Sequence, residues 1–215
     1  LLTGLRRSGY ATISPTFGIM SSLQFLSSSK FFTCRQKYVK FHKAGNFAYF
    51  CVRKICSMLD NKKILVCVTG GIAVYKSAAL TSKLVQAGAQ VKVIMSESAT
   101  KFVMPLTFQA LSKNDVYIDT FDEKIPGKIA HIELADWADV ILVAPATANI
   151  IGKLANGIAD DMISTTLLAA TAPVMIAPAM NVHMYHHKAV QRNMAQLRED
   201  GYLFMEPSEG YLACG

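Results

Sequence analysis

Residues 63–95 read KILVCVTGGIAVYKSAALTSKLVQAGAQVKVIM. The runs at the two ends, KILVCV and QVKVIM, are mostly apolar and β-branched, which is typical of buried strands, and residues 73–87 between them have helical spacing. Gly88 follows the helical stretch, at the position where a glycine commonly ends a helix. A strand, a helix and a second strand in this order predict a parallel pair joined by a helical crossover.

The same alternation continues through the rest of the chain. A helix is expected to begin near Ala99 with Ser98 as its cap, and another is expected over residues 160–170. Near-continuous apolar strands separated by helices are typical of parallel sheets covered on both faces. We therefore predict an α/β fold, a doubly wound parallel sheet of the flavodoxin or Rossmann kind with three αβα layers. Three more strands are predicted from apolar runs, at residues 140–144, 173–177 and 202–205.

The residues that follow each apolar run are candidates for ligand binding, because ligands of such sheets bind beyond the carboxyl ends of the strands. Thr69-Gly70-Gly71 precedes a helix, and a loop without side chains opens the backbone N–H groups of a helix start to a phosphate. A tight turn without a ligand is the alternative interpretation. All four candidate segments are made of small, polar or glycine residues: 69–71, 96–98, 145–149 and 178–181.

The glycine loop also limits the kind of phosphate ligand. It lacks the third glycine of the dinucleotide fingerprint, and it lacks a Walker lysine followed by Ser or Thr. Neither NAD nor ATP is therefore favoured. A mononucleotide with one phosphate fits better, met by Gly70, Gly71 and the hydroxyl of Ser96 or Ser98.

The positive charge of the chain is confined to its first part. The formal net charge is +7, but residues 1–57 contain no Asp or Glu, and all 15 acidic residues lie beyond them. We interpret residues 1–57 as a basic leader outside the fold, either a transit peptide or an extension before a start at Met58, and residues 58–215 as the domain. Because the domain is nearly neutral, a nucleic-acid partner is not expected.

The cysteines and the hydropathy limit location and metal binding. The five cysteines show neither zinc spacing nor a disulfide framework, which favours a reducing, cytoplasmic compartment. No uninterrupted apolar run is long enough for a membrane-spanning helix. Asp160 and Asp161 have no third ligand beside them, so we interpret them as a helix start and predict no metal site.

Five motifs, in order, identify a family resemblance over residues 58–215. They are GGIAVYK at 70–76, KIAHIELADWAD at 128–139, PATAN at 145–149, PAMNVHM at 178–184 and YLACG at 211–215. In this set the chain resembles the homo-oligomeric flavin-containing cysteine decarboxylases. It is most similar to the N-terminal domain of the bifunctional bacterial phosphopantothenoylcysteine decarboxylase/phosphopantothenate–cysteine ligase of coenzyme A biosynthesis.

The resemblance implies a reaction and a cofactor. The reaction is decarboxylation of 4′-phosphopantothenoyl-L-cysteine to 4′-phosphopantetheine, with FMN as cofactor. Oxidation of the cysteine CH₂–SH to a thioaldehyde would give the carboxylate an electron sink. Loss of CO₂ would leave an enethiolate, and the electrons would then return from the flavin. A peptidyl-cysteine decarboxylase of lantibiotic maturation and a non-catalytic flavin-binding regulatory subunit are the alternatives.

The resemblance also assigns roles to single residues. His131 would be the catalytic base, although a histidine satisfying a helix start is the simpler alternative. Asn181 would hold the substrate carboxylate, or cap a helix, or both. Cys214, with Ala213 beside it at the substrate, would protonate the enethiolate. The expected flavin contacts are Gly70, Gly71, Ile72, Ser96, Ser98, Thr147, Ala148, Asn149, Ala179 and Met180; Ile150 replaces a hydroxyl residue of the family segment.

The resemblance further implies partners and a lid. We expect a homotrimer or a higher homo-oligomer with the flavin at a subunit interface, and a ligase domain C-terminal to this one in the full-length family protein. In the family, a flap that closes over the substrate follows the cysteine that Cys214 matches. Since the sequence ends at Gly215, we expect it to bind FMN but to turn over poorly.

Overall fold

A computed structural model of the chain describes residues 10–11, 59–123 and 127–205. Ala213, Cys214 and most of residues 1–57, including the predicted leader boundary, lie outside the described residues. The strands are β1 Tyr10–Ala11, β2 Lys63–Val68, β3 Gln90–Met95, β4 Val116–Tyr117, β5 Val140–Ala146, β6 Val174–Pro178, β7 Met180–Asn181 and β8 Leu203–Phe204. The helices are α1 Val74–Gln86, α2 Glu97–Thr100, α3 Pro105–Ser112, α4 Ala130–Trp137, α5 Ala148–Ala155, α6 Met162–Ala169, α7 Val182–Tyr185 and α8 Lys188–Glu199.

Six of these strands form one parallel sheet in the order β4-β3-β2-β5-β6-β8. The chain runs outward from β2 to one edge, returns to the middle and continues from β5 to the other edge. This order, with the first and fourth strands of the sheet adjacent, is that of the Rossmann doubly wound fold. The reversal places a crevice beyond the carboxyl ends of β2 and β5, and it confirms the predicted fold class.

Two apolar cores lie on opposite faces of the sheet, because successive side chains of a strand alternate between faces. Leu65 and Cys67 of β2 pack with residues of α4, α5, α6 and α8. Ile64, Val66 and Val68 pack with residues of α1, α2 and α3 on the other face. Cys67 is fully buried in the first of these two cores and is a packing residue, and burial raises the pKa of its thiol.

Most predicted elements are present, with shifted ends. The strands at 63–68 and 90–95 match the prediction to the residue, whereas β5 extends two residues further, to Ala146. The predicted cap of the helix near Ala99 is wrong. Ser96 caps α2, its Oγ accepting the N–H of Ala99 at 3.2 Å, and the helix begins at Glu97. Among the described residues, six elements were not predicted: α3, α5, α8 and the short strands β1, β4 and β7.

Asp160 and Asp161, which directly precede α6, both contact Lys153 of α5. Lys153 Nζ lies 2.6 Å from Asp160 Oδ1 and 2.6 Å from Asp161 Oδ2. Asp161 is the N-cap of α6, and it exchanges hydrogen bonds with Ser164 in a capping box. The prediction that this pair marks a helix start is therefore confirmed, and the carboxylates connect the end of α5 to the start of α6.

The acid stability of the domain should depend on Asp161. Burial raises the pKa of the Asp161 carboxyl, but hydrogen bonds from Lys153 and Ser164 lower it, and the net shift is downward from the ordinary value of 3.8. A carboxyl whose pKa is lowered in the folded state stabilises the fold at pH values above its ordinary pKa. That contribution is lost as the pH falls through the lowered pKa of the folded state. We expect the wild type to lose unfolding free energy between pH 6 and pH 3. Asp161→Asn, which can still cap α6, should lose roughly 0.5–1 kcal/mol less over the same range.

Urea unfolding at the two pH values measures this difference. Asp160→Asn is the matched control, since Asp160 shares the contact with Lys153 but makes no capping bond. Asp160→Asn should keep more of the wild-type dependence of the unfolding free energy on pH. Equal acid dependence in wild type and Asp161→Asn would contradict the assignment.

Two features lie at the limits of the described chain. Tyr10 and Ala11 pair antiparallel with Asn181 and Met180, which places a two-residue strand from the predicted leader against β7. The division of the chain at residue 58 stays a prediction. None of the helices in the described part of the chain is both long and apolar enough to cross a membrane.

Candidate functional site

The glycine loop after β2 lies against the start of α2. A Cβ atom added to Gly70 would overlap the Cβ of Ser98 and would lie 2.8 Å from the Ser98 carbonyl carbon. Real Cβ atoms do not approach backbone atoms so closely, so only glycine fits at this position without movement. The structure thus brings two of the predicted phosphate ligands, Gly70 and Ser98, into direct contact.

The same loop is bonded to the segment after β5. Thr69 Oγ1 donates to the carbonyl oxygen of Pro145 at 2.6 Å and accepts the N–H of Thr147 at 3.1 Å. The Thr147 methyl faces Gly71, whose added Cβ would lie 3.7 Å from it in ordinary contact. Thr69 belongs to the candidate segment 69–71, but no role was assigned to it from the sequence. Its position as the hydroxyl residue between a buried strand and two glycines was the only signal in the sequence.

Three helices begin at this edge of the sheet. Thr147 caps α5 by accepting the N–H of Ile150, and Ser96 caps α2. The start of α1 differs, because its N-cap Ala73 makes no side-chain hydrogen bond to the helix and its first turn has no acidic residue. The N–H groups of Val74 and Lys76 donate to the carbonyl oxygens of Gly71 and Ala73. The positive end of the helix dipole, beside two glycines and without a capping side chain, favours an anion. Near this loop, the exposed residues are Ile72 and Ser98. At the start of α5, Asn149 is exposed and Ala148 is half-buried.

Asn181 lies at the end of the neighbouring strand. The Ala179 N–H donates to the carbonyl oxygen of Ala146 at 2.9 Å, which joins this segment to the one after β5. Asn181 Oδ1 accepts the N–H of His183 at 2.8 Å, so Asn181 is the N-cap of α7, and Met180 is buried beside it. The predicted capping role is confirmed. The side-chain NH₂ of Asn181 carries the donors that a carboxylate would need.

His131 is the second residue of α4. Its Nδ1 is buried and has no hydrogen-bond partner among residues 59–123 and 127–205. The alternative interpretation, a histidine that satisfies the helix start, is not what the described residues show, because Glu123 Oε2 accepts the N–H of Ala130 at 2.9 Å. Buried nitrogens without a partner are rare in folded proteins and often mark functional groups.

The predicted residues therefore fall into three groups. Gly70, Gly71, Ser98 and Thr147 meet at the crevice between β2 and β5, and Ala179 is tied to them through Ala146. His131 is not hydrogen-bonded to this group within the described residues. Ala213 and Cys214 lie outside the described residues, so their placement stays a prediction.

Comparison with known protein families shows which family the chain belongs to. Residues 53–215 match the flavoprotein family model. The chain belongs to the flavoprotein family. The bifunctional coenzyme A biosynthesis protein CoaBC of Bacillus subtilis is 74% identical to this flavoprotein over 158 residues, which are 74% of this chain and 39% of that protein. CoaBC of Escherichia coli is 44% identical over 157 residues, which are 73% of this chain and 39% of that protein.

Solved structures agree with these relatives. The FMN-dependent cysteine decarboxylase SpaF superposes on this flavoprotein with a TM-score of 0.66 at 38% identity, covering 69% of this chain and 86% of SpaF. A PPC decarboxylase variant complexed with pantothenoylaminoethenethiol gives a TM-score of 0.63 at 29% identity, covering 71% of this chain and 86% of that one. The resemblance stated from the five motifs is confirmed. The chain spans about two fifths of the length of the CoaBC relatives.

Proposed function

We propose that this flavoprotein domain binds FMN and decarboxylates 4′-phosphopantothenoyl-L-cysteine to 4′-phosphopantetheine in coenzyme A biosynthesis. The observation that carries the proposal is the meeting of Gly70, Ser98 and Thr147 at the switch point of the sheet, with Asn181 at the end of the next strand. The names of the CoaBC and PPC decarboxylase relatives support this substrate.

The residues at the crevice suit FMN. Gly70 and Gly71 carry no side chain to cover the backbone N–H groups of the loop, and the start of α1, which no side chain caps, favours the dianionic phosphate. Ser98 is exposed beside that loop and can donate its hydroxyl. Ile72 is 49% exposed and offers apolar surface for a ring system, whereas Met180, also expected to contact the flavin, is buried in the core. A bound flavin would accept the two electrons of the CH₂–SH oxidation, and the C=S bond so formed would be the electron sink when the carboxylate leaves the neighbouring carbon.

The chain's own polar groups then have separate tasks. Asn181 donates its amide N–H to the substrate carboxylate while its oxygen holds the start of α7. This arrangement orients the carboxylate without a positive charge, which would stabilise the substrate more than the transition state. The buried Nδ1 of His131 has no protein partner among the described residues and serves as the proton acceptor. Cys214 would return a proton to carbon, as the family motif implies.

An anaerobic assay of the FMN-loaded protein, extended past Gly215 so that the expected flap is present, tests the proposal. Release of CO₂ from phosphopantothenoylcysteine, with formation of phosphopantetheine, is expected. A peptide ending in cysteine competes in the same assay, because the solved neighbours include EpiD, a peptidyl-cysteine decarboxylase. FMN-loaded protein that releases no CO₂ from either compound would contradict a decarboxylase and favour a regulatory flavin subunit.

The two roles of Asn181 can be separated by one substitution. Asp caps helices as well as Asn does, so Asn181→Asp should leave the unfolding free energy unchanged. Its negative charge would face the substrate carboxylate, and KM should rise about tenfold or more. Asn181→Ala, by contrast, should lower the unfolding free energy by about 1 kcal/mol because the cap is lost. Steady-state kinetics of Asn181→Asp with an unchanged KM would leave Asn181 with the capping role alone.

Assembly and location belong to the proposal as well. A homotrimer or higher homo-oligomer and a cytoplasmic location fit a coenzyme A biosynthetic enzyme of this family. The bifunctional CoaBC relatives support a ligase domain C-terminal to this one in the whole protein. Light scattering of the purified, FMN-loaded protein measures the assembly.

A further inference from the structure

The Thr69 hydroxyl connects the two halves of the sheet at the proposed flavin site. Thr69 is 3% exposed and ends the buried run of β2, and its bonds to Pro145 and Thr147 span 76 and 78 residues of sequence. Both partners belong to the segment from the end of β5 to the start of α5. The bonds therefore fix the glycine loop relative to the segment that follows β5.

Both the proton and a lone pair of this hydroxyl have partners. A threonine hydroxyl has one proton and two lone pairs. The proton goes to the Pro145 carbonyl oxygen, at 2.6 Å, and the Thr147 hydroxyl oxygen lies further away as a second acceptor, at 3.4 Å. One lone pair accepts the Thr147 N–H at 3.1 Å.

These bonds determine how Thr147 is oriented. The methyl of Thr147 faces Gly71, and its hydroxyl oxygen faces Thr69 and the N–H of Ile150. A β-branched side chain has few χ1 choices, so contacts on both branches select one rotamer. We propose that Thr69 is a positioning residue, whose hydroxyl sets the backbone and rotamer of Thr147 and the spacing of the two loops between which FMN binds. The inference rests on the proposed FMN site.

The test compares two substitutions at Thr69 by FMN titration, followed through quenching of flavin fluorescence. Thr69→Val keeps the shape of the side chain and leaves the Thr147 N–H without its acceptor. Its dissociation constant for FMN should be about tenfold higher than that of the wild type, the effect of one unsatisfied buried group. Thr69→Ser keeps the hydroxyl and should bind FMN within about threefold of the wild type.

Ser77→Ala is the matched control. Ser77 is also 3% exposed, and its Oγ donates to the carbonyl oxygen of Ala144 within β5 at 2.7 Å, a bond to the strand and not to Thr147. It should lower thermal stability as much as Thr69→Val does, with FMN affinity unchanged. Equal losses of affinity in Ser77→Ala and Thr69→Val, or a loss in Thr69→Ser as large as in Thr69→Val, would overturn the proposal.

A measurement on the wild type keeps the proposal testable if Thr69→Val does not fold. The amide of Thr147 should exchange with solvent at least about tenfold more slowly than the amides of Ala148 and Asn149, because only Thr147 donates to a buried hydroxyl. Equal exchange rates would mean that the bond is not formed. Wild-type protein that does not bind FMN would contradict the proposed function, whereas equal binding by wild type and Thr69→Val contradicts this inference alone.

Discussion

Gly70→Ala is expected to raise the dissociation constant for FMN by about a hundredfold, the effect of overpacking a rigid contact. The added methyl group would meet both the side chain and the backbone of Ser98, with the carbonyl carbon 2.8 Å away. A flexible side chain could move aside, but a backbone atom of α2 cannot move without shifting the helix start. The two loops would separate, and the proposed phosphate site would widen. FMN titration by fluorescence quenching measures the effect.

A second glycine provides the control for this substitution. A Cβ added to Gly152, within α5, would lie 3.6 Å from the end of the Asn193 side chain, which is an ordinary contact. Gly152→Ala should therefore bind FMN like the wild type, and as a helix-interior change it should stabilise the protein slightly. If Gly70→Ala binds FMN as tightly as Gly152→Ala, the phosphate does not lie at the glycine loop.

His131→Phe should lower kcat by about 10² to 10⁴ and leave the unfolding free energy unchanged or higher. The activity should fall because a proton acceptor is lost. Stability should not fall, because the buried Nδ1 makes no hydrogen bond within the described residues that phenylalanine could break. Loss of turnover without loss of stability is the result that distinguishes a functional histidine from a structural one. Decarboxylation kinetics and urea unfolding give the two quantities.

His187 provides the opposite case. Its Nδ1 accepts the N–H of Ala189 at 3.2 Å and caps α8. His187→Ala should lower the unfolding free energy by about 1 kcal/mol with kcat unchanged. A destabilised His131→Phe with wild-type kcat would return His131 to a structural role.

The sequence predicted best where local pattern and tertiary environment agree. The ends of β2 and β3 were predicted to the residue, because buried parallel strands require unbroken apolar runs. Helix α8 could also have been predicted, since Val190, Met194 and Leu197 have helical spacing and face the core.

The errors arose where contacts with residues distant in the sequence determine the local structure. Ser96 and Ser98 are both good cap residues by composition, but the contact with Gly70 fixes where Ser98 lies, and Ser96 caps the helix. The role of Thr69 could not be predicted, because its partners lie 76 and 78 residues away. The five motifs supplied the candidate residues, whereas the structure gives the distances between several of those that it describes.

The strand order also determines when the site can form during synthesis. A chain that has left the ribosome only as far as β4 contains Gly70 and Ser98 but neither Thr147 nor Asn181. Contacts between residues so far apart form slowly, because a long loop must close before they stabilise the fold. At the proposed site, FMN can therefore bind only after β5 has inserted beside β2. With that site, newly made chains begin as apoprotein, and bound flavin marks those in which the two halves of the sheet have joined.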